Sequence, residues 1–231
     1  MQQPPFHRQF APSVQRVIDR LYGETIRHDG EIRATALRQG YANDGQEGFY
    51  HAMASAKMPV TPDFGAMLYI LARSTAARQI VEFGTSFGVS TLFLACALRD
   101  SGGGAVVTTE FVPEKAHSAG ANLREAGLDD LVEIRVGDAR DTLSGDDDQP
   151  IDLILLDAAK ELYLDVLKLL EPRLRSGGVV VSDRADLEGN DGGRAAAYLA
   201  YLREPANGYR ISTISTEAVG QRFLHDIAVR A

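Results

Sequence analysis

Apolar residues near the start of the chain recur at helical spacing. Val14, Val17, Ile18, Leu21 and Tyr22 fall on one face of a helix expected over residues 13–32. A polar, glycine-bearing loop over 40–48 follows, then a second helix over 49–58 that ends at Pro59. These two helices form an N-terminal extension over residues 1–57 that precedes the rest of the chain. Thr61-Pro62-Asp63 opens a third helix through Met67, Leu68, Ile70 and Leu71 to about Ser74, with threonine as cap and proline in the first turn.

From there, short apolar runs alternate with helical patterns. Strands are expected at 80–83, 105–109, 132–136, 151–156 and 179–181, and helices from Val89 to about 101, at 113–126, at 161–174 and at 194–203. Segments 209–215 and 222–229 alternate as two further strands, joined by residues 217–220. Strictly alternating strands and helices imply a mostly parallel sheet covered on both faces. The expected fold is therefore α/β: a doubly wound, Rossmann-like sheet of seven strands with an antiparallel edge and the helical extension.

Composition narrows the partners. The chain has 231 residues, 45% of them hydrophobic, enough for one domain with a real core. A net charge of -8 argues against nucleic acid or an anionic membrane surface as the main partner. Cys96 is the single cysteine, set among apolar helix positions, so it reads as a packing residue in a reducing compartment. There is no signal-like N-terminus, and no apolar run reaches the roughly 20 residues of a membrane helix. Those features lead us to expect a cytoplasmic protein.

Polar residues collect at the carboxyl ends of the expected strands, where ligands bind in sheets of this kind. They are Glu82 and Gly84, Glu110, Asp138, Asp157 and Asp183. Residues 82–88 read acidic-x-Gly-x-x-x-Gly, a tight turn into a helix start that favours an anionic group. Thr85 and Ser86 stand where the dinucleotide fingerprint needs glycine, so a nicotinamide dehydrogenase is excluded. Glu110 is placed to accept hydrogen bonds from ribose hydroxyls, and Asp138 to meet an adenine amino group. The run Asp146-Asp147-Asp148 reads as a solvated acidic loop and not as a metal site.

Five segments together resemble the cation-dependent O-methyltransferases that include the catechol and caffeoyl-CoA enzymes. They are Lys57-Met-Pro-Val-Thr-Pro62, Val81-Glu-Phe-Gly-Thr-Ser-Phe-Gly-Val-Ser-Thr91, Gly137-Asp-Ala139, Asp157-Ala-Ala-Lys-Glu-Leu-Tyr163 and Gly177-Gly-Val-Val-Val-Ser-Asp-Arg184. The resemblance implies a methyltransferase domain over 58–231, S-adenosylmethionine as cofactor, a small-molecule acceptor and a homodimer. It implies that the Val60 N–H and the Ser90 hydroxyl hold the methionine carboxylate, with Glu82 and Gly84 beneath the methionine portion. Glu110 would bind ribose, Asp138 with Ala139 would meet adenine, and Asp157 would serve both the cofactor and the acceptor side. Lys160 matches the general base, and a lysine serves as base where its surroundings favour the neutral amine. Tyr163, one turn on, faces the same pocket or packs.

The departures bear on the metal. In the family an asparagine follows the last strand's aspartate, and both bind a divalent cation; here Arg184 follows Asp183. Ala159 replaces a second carboxylate, and tyrosines found in relatives at Ser86 and Val89 are missing. A guanidinium offers no acceptor, so the chain is expected to work without a divalent cation, with Arg184 paired to Asp157 or Asp183 beside the catalytic residues. Two rival readings remain open: a cofactor-binding module without turnover, and a small-molecule N-methyltransferase. Specificity is expected in loops 40–48, 184–193 and 217–220.

Overall fold

Strands β1 (Gln79–Phe83), β2 (Ala105–Glu110), β3 (Val132–Val136), β4 (Ile151–Leu156) and β5 (Leu174–Asp183) pair in parallel. The closing hairpin, β6 (Tyr209–Ala218) and β7 (Gln221–Arg230), lays β7 antiparallel against β5, giving the order β3-β2-β1-β4-β5-β7-β6. This is the seven-stranded, mostly parallel sheet that the alternation predicts. The computed structural model describes residues 10–41, 47–145, 148–184, 193–218 and 220–231. The expected loops at 40–48, 144–150 and 184–193 lie partly outside the described residues, as does residue 219.

Helices α1 (Pro12–Arg38), α3 (Pro62–Ser74), α4 (Val89–Asp100) and α5 (Pro113–Ala126) cover one face of the sheet. The short α6 (Ala139–Thr142), with α7 (Tyr163–Leu170) and α8 (Ala196–Arg203), covers the other. The first helix does not merely precede the core. Val14, Val17, Ile18 and Leu21 are buried in one cluster with Leu68, Leu92, Phe93 and Leu153.

Several boundaries differ from expectation; β5, for one, begins at Leu174 and not at 179. α1 runs to Arg38, past residue 32, because Ala36 is buried against Phe49, Met53 and Ala56. α2 (Glu47–Ala52) stops well before Pro59 and gives way to a turn. After β4 the chain first makes a 3-10 turn, Lys160–Leu162; α7 then ends at Leu170, and Pro172 sits in a second 3-10 turn, Glu171–Arg173. Proline lacks the N–H a longer helix would need.

β1 lies between β2 and β4, so the connection from β3 crosses back over β1, and the crevice opens outside the carboxyl ends of β1 and β4. The two ends touch at Gly84. Its φ is 110°, and a Cβ there would lie 2.3 Å from the Asp157 carbonyl oxygen. Only glycine fits.

Candidate functional site

Beneath the glycine turn, Glu82 on β1 is fully buried. Its carboxylate accepts hydrogen bonds from Ser90, Thr91 and Thr108, each at 2.6 Å. Burial pushes its pKa up, and the three hydroxyls act against that rise. Hydrogen bonds to a charged group contribute about 1.5–3 kcal/mol each, so together they offset part of the several kcal/mol of burying one ion. Ser90 and Thr91 belong to the first turn of α4, so Glu82 ties that helix start to the central strand. The Ser90 hydroxyl, expected to face a ligand carboxylate, is directed at Glu82. The cap of α4 is Gly88, with φ 85° and no side-chain bond to the first turn. An uncapped helix start of this kind presents N–H groups to an anion.

Glu110 closes β2 and is held from two sides. One oxygen accepts from the Ser86 N–H at 2.7 Å and the other from the Val112 N–H at 2.9 Å. Ser86 itself has φ 47°, and its hydroxyl donates to the Lys57 carbonyl at 2.7 Å. This joins the turn after β1 to the segment leading into Val60. Asp138 caps α6 through the Arg140 N–H and pairs with the Arg140 guanidinium at 2.6 Å, a hydrogen bond that holds its carboxyl below the usual range. Ala139 is buried beside it.

At the ends of β4 and β5 the acidic groups meet Lys160, which is buried. Its Nζ lies 3.8 Å from an Asp157 oxygen and donates to the Tyr163 hydroxyl at 2.8 Å. Tyr163 in turn donates to the main-chain carbonyl of Asp183 at 2.6 Å. The Asp157 carboxyl is pushed well up, first by burial and next by Asp183, with Lys160 opposing. Tyr163, wholly buried, is likewise pushed up and stays a neutral phenol. Tyr163 packs against Phe83 and Tyr198, and its hydroxyl bridges Lys160 to β5.

Arg184 corrects one expectation. It pairs with neither Asp157 nor Asp183; its Nε lies 2.7 Å from Asp226, and both side chains are buried. The reason is the register of β7, which places Asp226 opposite Ser182 and His225 opposite Asp183. His225 and Asp226 were not singled out from the sequence. The available signal was two adjacent polar residues inside the run Phe223-Leu-His-Asp-Ile-Ala228.

The strand-end groups therefore gather into two parts. Glu110, Asp138 and the start of α4 line the side toward β2 and β3, while Asp157, Lys160, Tyr163 and Asp183 line the side toward β5. The first part fits a nucleoside bearing a carboxylate: a preset carboxylate for a diol, an adenine-side acid and an open helix start. A hard divalent cation fits less well. Among the described residues no three His, Cys, Asp or Glu side chains form a metal-binding group. The position after Asp183 carries a guanidinium where such an ion demands oxygen.

The sequence and the fold are similar to those of known proteins. A model described as a methyltransferase domain matches residues 81–184. A catechol O-methyltransferase of Mycobacterium tuberculosis is 39% identical over 167 residues, covering 72% of this chain and 70% of the relative. A catechol O-methyltransferase of Niastella koreensis is 34% identical over 156 residues, covering 65% and 70%. Among solved structures, an O-methyltransferase from Bacillus cereus in complex with SAH has a TM-score of 0.66 at 28% identity, covering 87% of this chain and 91% of that one. The O-methyltransferase TomG from Streptomyces achromogenes, in complex with SAM, has a TM-score of 0.65 at 29% identity, covering 75% and 82%.

Proposed function

This chain belongs to the S-adenosylmethionine-dependent O-methyltransferases, and on that premise we propose that it methylates a small-molecule hydroxyl with Lys160 as the general base. The observation that carries the assignment of the base is the buried Lys160 Nζ, 3.8 Å from Asp157 and hydrogen-bonded to Tyr163. The reading of the cofactor side rests on Glu110 for the ribose, Asp138 and Ala139 for the adenine, and Val60 with Gly84, Ser90 and Asp157 around the methionine portion. For the methionine carboxylate, the main-chain N–H groups of the α4 start are better directed than the Ser90 hydroxyl, which donates to Glu82.

When bound, the cofactor supplies an electrophilic methyl group on a sulfonium. The chain's own task is to hold the acceptor oxygen in line and remove its proton. Burial beside Asp183 favours the neutral carboxyl of Asp157. Tyr163 fixes the direction of Nζ by accepting one of its hydrogens. Lys160 Nζ would take the acceptor's proton as the methyl passes from sulfur to the acceptor oxygen, the bond to sulfur breaking as the carbon–oxygen bond forms. Asp157 and Asp183 supply acceptors for a neighbouring hydroxyl on the substrate, and no divalent cation takes part. Catalysis at such a geometry favours an O-methyltransferase over a module without turnover. An amine acceptor would need less help from a base.

The family resemblance supports a homodimer, and the single, buried Cys96 fits a cytoplasmic setting. No helix among the described residues is long and apolar enough to cross a membrane.

Transfer of labelled methyl from S-adenosylmethionine to a panel of phenols and catechols tests the reading. Lys160→Met keeps the volume and removes the proton acceptor, so turnover should fall by about 10²–10⁴ fold, with cofactor affinity little changed. Full turnover by the variant would move the base elsewhere or make the acceptor an amine.

A further inference from the structure

Behind Asp183 lies a chain of polar groups, buried except at the half-buried Thr216, supplied by β6, β7 and the start of α3. His225 is wholly buried, stacked on Phe64 with ring centroids 3.7 Å apart and planes inclined by 12°. Its Nε2 is 2.7 Å from the Thr216 hydroxyl, which is 2.9 Å from the Thr61 hydroxyl. Thr61 caps α3 by accepting from the Phe64 N–H. On the other side, His225 Nδ1 lies 3.2 Å from Asp183 Oδ1 and makes no well-angled hydrogen bond to any described group.

The carboxylate at one end favours one direction along this chain. With the ring hydrogen on Nδ1 facing Asp183, Nε2 accepts from the Thr216 hydroxyl and Thr216 in turn accepts from Thr61. The reverse order would point a nitrogen lone pair at a carboxylate oxygen in a buried setting, where such a mismatch is most costly. A ring tautomer set by the partner of its other nitrogen is the usual way a histidine is oriented.

We propose that His225 is a positioning residue for Asp183: with Nδ1 3.2 Å from Oδ1, the edge of its imidazole sets where the carboxylate sits on the acceptor side, and Thr216 and Thr61 hold the ring in the Nδ1–H tautomer. Thr61 directly follows Val60, so the same chain joins the segment assigned to the cofactor with the carboxylate assigned to the acceptor. The inference rests on the proposed methyl transfer. It adds that β7, a strand with no residue at the reacting atoms, sets how the acceptor is oriented.

Three substitutions separate positioning from packing. His225→Asn keeps an N–H near Nδ1, His225→Gln keeps one near Nε2, and His225→Leu keeps neither. Expected are near-normal turnover for the asparagine variant and a loss of about 10² fold in kcat/KM for the acceptor with glutamine and leucine, the size expected when a group shifts by about 1 Å. Calorimetric affinity for S-adenosylmethionine and cooperative melting should persist in all three. Equal activity of the asparagine and glutamine variants, or full activity of the leucine variant, overturns the proposal. Nitrogen-15 NMR of the histidine rings gives a readout without turnover. The His225 signal, assigned by its loss in the leucine variant, should show the Nδ1–H tautomer, and an Nε2–H tautomer or an imidazolium contradicts it. Absence of methyl transfer by the unaltered protein would refute the proposed function, whereas the NMR result bears on His225 alone.

Discussion

Glu110 accepts from Ser86 and Val112 through separate oxygens, so its carboxylate is oriented before any ligand arrives. Hydrogen bonds from hydroxyls to such a charged group contribute about 1.5–3 kcal/mol, or roughly ten- to a hundredfold in affinity. Glu110→Ala should therefore weaken calorimetric binding of S-adenosylmethionine by that factor; unchanged affinity would remove Glu110 from the cofactor site. Glu110, Asp157 and Asp183 were legible in the sequence because each sits where an apolar run stops, and Lys160 through its match to the family. Arg184 was legible as a departure but not in its partner. Asp226 lies 42 positions away, and only the register of an antiparallel strand brings it to the guanidinium. The orientation of the Ser90 hydroxyl toward Glu82 was hidden for a similar reason, since it depends on how α4 is rolled against β1.

α4 and α1 show how elements hold the site. α4 is pinned to β1 through Ser90, Thr91 and the buried Glu82, and its glycine cap leaves the helix start open. α1 lies across α4 and α5, and its Tyr22 hydroxyl donates to the Val60 carbonyl at 3.0 Å, so the helix also steadies the segment assigned to the cofactor. Ile18→Ala should cost about 2–5 kcal/mol in urea unfolding, the usual range for emptying such a buried position. A negligible cost would show α1 to be a separable extension. The helical periodicity of α1 identified its apolar face from the sequence alone. Its length was underestimated, because Ala36 is held by contacts with the α2 region that no local pattern displays.

For the whole molecule, alternation of strands and helices sufficed to read the sheet, since the period of two against 3.6 is set by backbone geometry. The place of β7 inside the sheet was not readable, because alternation does not state which neighbour a strand chooses. Ile26, Leu37, Met58 and Ile70 expose large apolar side chains outside this core. If they serve the proposed homodimer, sedimentation should give twice the 25.0 kDa chain mass, and a single-chain mass would contradict it. The same molecule gives the acceptor side two carboxylates, a lysine and a buried tyrosine, while the guanidinium after Asp183 is spent on β7. Our central claim is that these side chains activate the acceptor hydroxyl unaided. Turnover of labelled S-adenosylmethionine after thorough chelation tests this most directly. The account predicts an unchanged rate in EDTA; loss of methyl transfer that added Mg²⁺ restores would contradict it.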